Sequence, residues 1–130
     1  MEFLTASEIT EIHDDIIRET GGEAGIIFRG QIEWCAEEPQ MNFFGTDPFP
    51  SVLEKAGCLM YCIIRSHSFV DGNKRTGLLV TSIFLSRNGY ALTSTKDDEV
   101  PMTLKIADIS IPCEKPEAIE WIRKHVEESQ

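Results

Sequence analysis

Two strongly apolar segments separated by one short polar connection constrain the fold of this chain more than any other feature. From Ser51 to Ser66, the residues Val52, Leu53, Ala56, Leu59, Met60, Cys62, Ile63 and Ile64 cover more than one face of a helix. From Thr76 to Asn88, Leu78, Leu79, Val80, Ile83, Phe84 and Leu85 do the same, and Asn88-Gly89 supplies a C-terminal stop. A helix that is apolar nearly all round belongs at the centre of a fold, so two buried helices flank the connection.

The remaining segments read as elements packed around that pair. Thr5 and Glu8 have capping-box spacing, and Ile9, Ile12 and Ile16 repeat at helical intervals, which predicts a helix from Ala6 to Glu19 ended by Gly21-Gly22. Residues 23–30 combine glycines with the apolar run Ile26-Ile27-Phe28, the pattern of an extended hairpin or flap. Gln31 to Glu37 reads as a short helix, and a loop follows around Pro39 to Pro50. Thr95 is placed to cap a helix running towards Asp108, with Pro101 either restricting it or delaying its start. Pro116 opens a last amphipathic helix through Glu127, with Ile119, Ile122 and Val126 as its buried stripe. The fold class is all-α: one compact domain over residues 1–130, a core of about six helices with a short β-hairpin flap.

A hydrophobic share of 42% and a charged share of 26% are those of a globular chain, which excludes disordered and collagen-like classes. No apolar run reaches bilayer length, and Glu2 stands where a signal peptide carries positive charge, so the expected location is cytoplasmic, with no membrane partner. Cys35, Cys58, Cys62 and Cys113 form no Cys-x-x-Cys pair, and buried free thiols are expected of them. A net charge of −10 argues against nucleic acid as a direct partner. Locally the balance reverses: between Arg65 and Arg75, three cations (Arg65, Lys74, Arg75) face one anion, Asp71. A positive pocket on an acidic body suits a small anionic ligand.

The connection itself, His67-Ser-Phe-Val-Asp71-Gly72-Asn73-Lys74-Arg75, places polar groups between two apolar helices, a costly arrangement unless they serve a site. Gly72 permits a tight turn, which puts Asn73, Lys74 and Arg75 in the first turn of the next helix, where free N–H groups and the positive dipole end favour a phosphate. Lys74 and Arg75 add charge-assisted donors. Asp71 stands where a Mg²⁺ bridging phosphate oxygens finds a carboxylate, and His67 is suited to accept a proton from an attacking hydroxyl. Phe69 anchors the loop to the core. Two roles are open to Arg65, phosphate ligand or helix C-terminal charge. His13 and His125 take structural readings.

His67-x-Phe69-x-Asp71-Gly72-Asn73-Lys74-Arg75 resembles the Fic/Doc signature His-x-Phe-x-Asp-Gly/Ala-Asn-Lys/Gly-Arg. Ile12-His13-Asp14, Gly21-Gly22, Gly25, Thr76 and Phe84-Leu85-x-x-Asn88-Gly89 extend the likeness towards the short Doc (death-on-curing) branch. The resemblance implies a Fic fold, ATP with Mg²⁺, and transfer to a hydroxyl of a target protein. It makes His67 the general base, Asp71 the metal or orienting carboxylate, Asn73 a phosphate-orienting group, and Lys74 and Arg75 phosphate ligands. Ile26, Ile27 and Phe28 become a flap that aligns the target by strand addition.

Ser68 stands where adenylylating members usually have Pro, and Lys74 where they usually have a second Gly. The implied first reading is a Doc-like toxin that phosphorylates a translation elongation factor-like target; protein adenylylation (AMPylation) and a silent nucleotide-binding module are the alternatives. Thr95 to Glu99 has the spacing of the family's self-inhibitory element, but Val100 follows in place of Gly or Asn. The implied inhibitor is therefore a Phd-like antitoxin acting in trans. Ile27-Phe28 also departs from the Arg-Asp often found in that flap.

Overall fold

A computed structural model describes residues 1–129. Six α-helices form in the expected order: α1 (Ala6–Thr20), α2 (Arg29–Glu37), α3 (Val52–Ser66), α4 (Asn73–Arg87), α5 (Lys96–Ala107) and α6 (Lys115–Lys124). Thr5, Ser51 and Thr95 close the starts of α1, α3 and α5 by accepting the backbone N–H of Glu8, Glu54 and Asp98. Such caps stabilise a helix by ~1 kcal/mol each, and those at Thr5 and Thr95 were legible in the sequence.

The apolar cluster is continuous, with α3 at its centre. Two glycines bring its neighbours close. A Cβ at Gly77 of α4 would lie 2.4 Å from Ile64 Cγ1 of α3, and one at Gly57 of α3 would lie 2.6 Å from the Cα of Ile119 in α6. Burial of Lys55 inside α3 is compensated by its ammonium donating to Pro39 O at 2.6 Å and pairing with Asp47 Oδ2 at 2.8 Å.

Four expectations change. The last helix stops at Lys124, and Val126–Glu128 forms strand β2, antiparallel to β1 (Tyr90–Leu92), with Leu92 opposite Val126. β-branched Val126 covers the core edge from a strand as well as it would from a helix, and the N–H groups beside it find partners in β1. Pro101 lies inside α5, whose start Thr95 fixes, so α5 forgoes one internal bond instead of starting late. The flap is not a hairpin: residues 21–28 form no strand, and their one bridge joins Ile26 to Phe69. Cys35 and Cys62 are not free thiols but a disulfide between α2 and α3, with Cα atoms 5.5 Å apart. Cys58 and Cys113 are free and buried as expected, and burial pushes the Cys58 thiol up to about 12.

Candidate active site

The polar connection closes into a pocket of about 380 Å³ lined by His67, Val70 to Arg75 and Ala107. Its floor is the start of α4. Gly72 is the N-cap in the left-handed conformation (φ 79°), and without a side chain it leaves the helix end uncapped. The first bond into the helix runs from Thr76 N to Gly72 O, so the N–H groups of Asn73, Lys74 and Arg75 have no acceptor among the described residues. Unlike the hydroxyl-capped starts of α1, α3 and α5, this end is open to an anion.

Each predicted side chain can now be placed. Lys74 is exposed on the pocket wall and, among the described residues, has no ion-pair or hydrogen-bond partner. Arg75 is half engaged, donating from Nη1 to Thr20 Oγ1 and Gly21 O while Nη2 lies 3.6 Å from Asp71 Oδ1. Asn73 is buried, and its amide clasps the loop: Oδ1 accepts from Phe69 N at 3.1 Å and Nδ2 donates to Phe69 O at 2.9 Å. Its side chain is therefore a loop clasp and not a phosphate-orienting group; only its backbone N–H faces the anion site. Phe69 is the buried anchor expected of it.

Asp71 is held by two backbone donors, Gly72 N on Oδ1 at 2.7 Å and Glu23 N on Oδ2 at 3.2 Å. These bonds, with Arg75 and His13 nearby, keep its carboxyl below the usual aspartate range. An ionised, half-exposed carboxylate beside free N–H donors fits Mg²⁺, which takes one or two protein carboxylates and completes its shell with water and phosphate oxygens.

His67 caps α3 in the left-handed conformation (φ 49°, ψ 47°), a position that usually falls to glycine. Its Nε2 lies 2.6 Å from Ala107 O, and Nδ1 has no protein partner. A carbonyl only accepts, so Nε2 carries the proton and Nδ1 of the neutral ring is left with its lone pair free.

The structure assigns Arg65 the second of its two expected roles, although the helix end it serves is that of α5 and not of its own α3. Its guanidinium donates to Ile106 O, Asp108 O and Ile111 O at 3.1 Å, and to Lys105 O at 3.5 Å, and so is not available as a phosphate ligand.

The flap segment docks its inner edge on the loop, with Ile27 N and Phe28 N donating to Ser68 O and Val70 N donating to Gly25 O. Ile26 packs against the core, whereas Ile27 and Phe28 are exposed at 52% and 57%, facing outward beside the pocket mouth.

Two contributors escaped the sequence reading. His13 is fully buried beneath the loop; its ring stacks on Phe69 at 3.8 Å, Nε2 donates to Asp71 O at 2.7 Å and Nδ1 lies 3.1 Å from Asp14 Oδ1. Gly22 (φ 118°) lies where a Cβ would come within 2.7 Å of Asp71 Oδ2 and 3.2 Å of Arg75 Nη2. Neither residue carries a local signal for its contact; only the resemblance at Ile12-His13-Asp14 and Gly21-Gly22 pointed to these positions.

The central helix pair of this all-α domain thus gathers an uncapped helix start, Lys74, the ionised Asp71 and the open Nδ1 of His67 around one pocket. The chain belongs to the Fic/DOC family, whose sequence model matches residues 3–85. It is 35% identical over 77 residues to "Toxin Doc" of Mycolicibacterium smegmatis, 59% of each chain being covered. It is 29% identical over 89 residues to "Protein kinase doc" of Escherichia phage P1, covering 68% of this chain and 70% of that one. These relatives place it on the Doc-like side of the family, and the chain spans less than two thirds of the first one's length. No helix of the described residues is long and apolar enough to cross a membrane.

Proposed function

We propose that this chain is a Doc-like toxin that transfers the γ-phosphoryl group of ATP to a hydroxyl of a target protein. One observation carries the reading: three unpartnered N–H groups, a free lysine and the unengaged Nδ1 of His67 share one pocket. His67 Nδ1 takes the proton of the acceptor hydroxyl as its oxygen bonds to phosphorus and the bond to the departing ADP oxygen breaks. Lys74 and the α4 N–H groups hold the phosphate charge in place. Mg²⁺, held by Asp71, would supply charge neutralisation across the phosphate oxygens.

Lys74 favours γ- over α-transfer. The first turn of a helix is a narrow place, and a long cation there crowds an internal phosphate while adding charge for a terminal one, which carries the most negative charge. The outer edge of the flap, with Ile27 and Phe28 exposed, suits an extended target segment, and a translation elongation factor-like protein is the target class. This reading places the chain in the cytoplasm. It also assigns control to a Phd-like antitoxin, because the Thr95–Glu99 segment is the capped start of α5, with no Gly or Asn after Glu99.

Incubation with a cell extract and ATP labelled at the α- or the γ-phosphate tests the reaction. Label appearing on protein only from the γ position is the expected result; label only from the α position makes the chain an adenylyltransferase. Lys74→Gly should shift transfer towards α-label, since it opens the helix start without touching His67 or Asp71. His67→Ala should lower either transfer by about 10²–10⁴-fold while Mg·ATP binding changes little.

A further inference from the structure

The last turn of α3 carries two side chains, Arg65 and His67, that reach the same place, the C-terminal turn of α5. The final carbonyls of a helix have no internal partner and form its negative end. Here Arg65 takes the carbonyls of Lys105, Ile106 and Asp108 through Nη1 and that of Ile111 through Nη2. The carbonyl between them, Ala107 O, is left for His67 Nε2. One planar guanidinium thus grips the backbone on both sides of the single atom that sets the tautomer of the histidine.

We propose that Arg65 is a positioning residue for the transfer reaction: it fixes the last turn of α5 so that Ala107 O keeps the proton of His67 on Nε2 and leaves Nδ1 unprotonated toward the pocket. The proposal rests on His67 being the base. His67 is the exposed C-cap of α3 and has no other side-chain hydrogen bond among the described residues, so without the Ala107 carbonyl only the weak intrinsic preference of imidazole for the Nε2–H form remains and both tautomers are populated. The rest of α5 has its own anchors, the buried Thr103 and the bond from Trp121 Nε1 to Asp98 O. Loss of the guanidinium therefore loosens the turn without undocking the helix. Lysine at 65 offers a point charge and no fork, so it can hold fewer of the carbonyls at once.

The test uses the full chain labelled with ¹⁵N-histidine, at a pH where the ring is neutral, with ring-nitrogen shifts reporting which atom carries the proton. The parent should show His67 with its proton on Nε2, and Arg65→Ala should show both tautomers. Label transfer from ATP to extract protein should fall by at least about ten-fold in Arg65→Ala, with apparent affinity for Mg·ATP within about two-fold, and Arg65→Lys should lie between. If Arg65→Ala keeps the Nε2 tautomer, the proposal is overturned, whether or not transfer falls. If Arg65→Ala fails to fold, Arg65→Lys decides: a single Nε2 tautomer overturns the proposal whether or not transfer falls, and mixed tautomers with lowered transfer support it. Normal transfer by His67→Ala would remove the base assignment, and that outcome is separate from the tautomer measured in the resting protein.

Discussion

His67 combines a left-handed backbone with an exposed ring, and glycine fits that backbone at least cost. The strain belongs to the position, and on the proposed reading it is tolerated because the ring serves as the base. His67→Gly should therefore be more stable than His67→Ala by about 1 kcal/mol, read as a midpoint difference in urea unfolding, with both variants equally inactive. Equal midpoints would show that the backbone at 67 relaxes once the ring is gone. Lys74 illustrates the opposite case: an unstrained, unpaired side chain whose meaning comes from the helix start beneath it.

Between elements, the loop from 67 to 72 is held from three directions: by Asn73 within its own turn, by the flap along Ser68 and Val70, and by His13 from α1 below. His13 is the contact that fixes the backbone of Asp71, so its loss leaves a carbonyl without its donor under the site. His13→Leu should cost roughly 1–3 kcal/mol in denaturant unfolding and lower label transfer, because Asp71 loses its fixed position. His13→Gln, which retains an N–H donor, should recover part of both. Equal loss in the two variants would point to the Phe69 stack and not the hydrogen bond as the main contribution.

For the whole molecule, an acidic body with Lys74 and Arg75 at the mouth of the α4 start suits, on the proposed reading, a phosphorylated small ligand over a polyanion, and Val100 follows Glu99 where the inhibitory element has Gly or Asn. Expressed alone, the chain should arrest growth of its host, and the His67→Ala variant should not. Growth unaffected by a protein that still transfers label would remove the toxin role and leave the chemistry.

The central helix pair, the hydroxyl caps at Thr5 and Thr95, and the turn at Gly72 that opens α4 were determined by sequence alone, because each rests on residues within one turn of one another. The strand at Val126, the Cys35–Cys62 pair, the flap docked through a single bridge, and the roles of His13, Gly22 and Arg65 were decided by tertiary structure. Each of those depends on atoms 27 or more residues apart in the chain meeting at hydrogen-bond or van der Waals distance. Local pattern carries propensity and periodicity, whereas the partner of a buried ring or a guanidinium is set by which helix ends the core brings together.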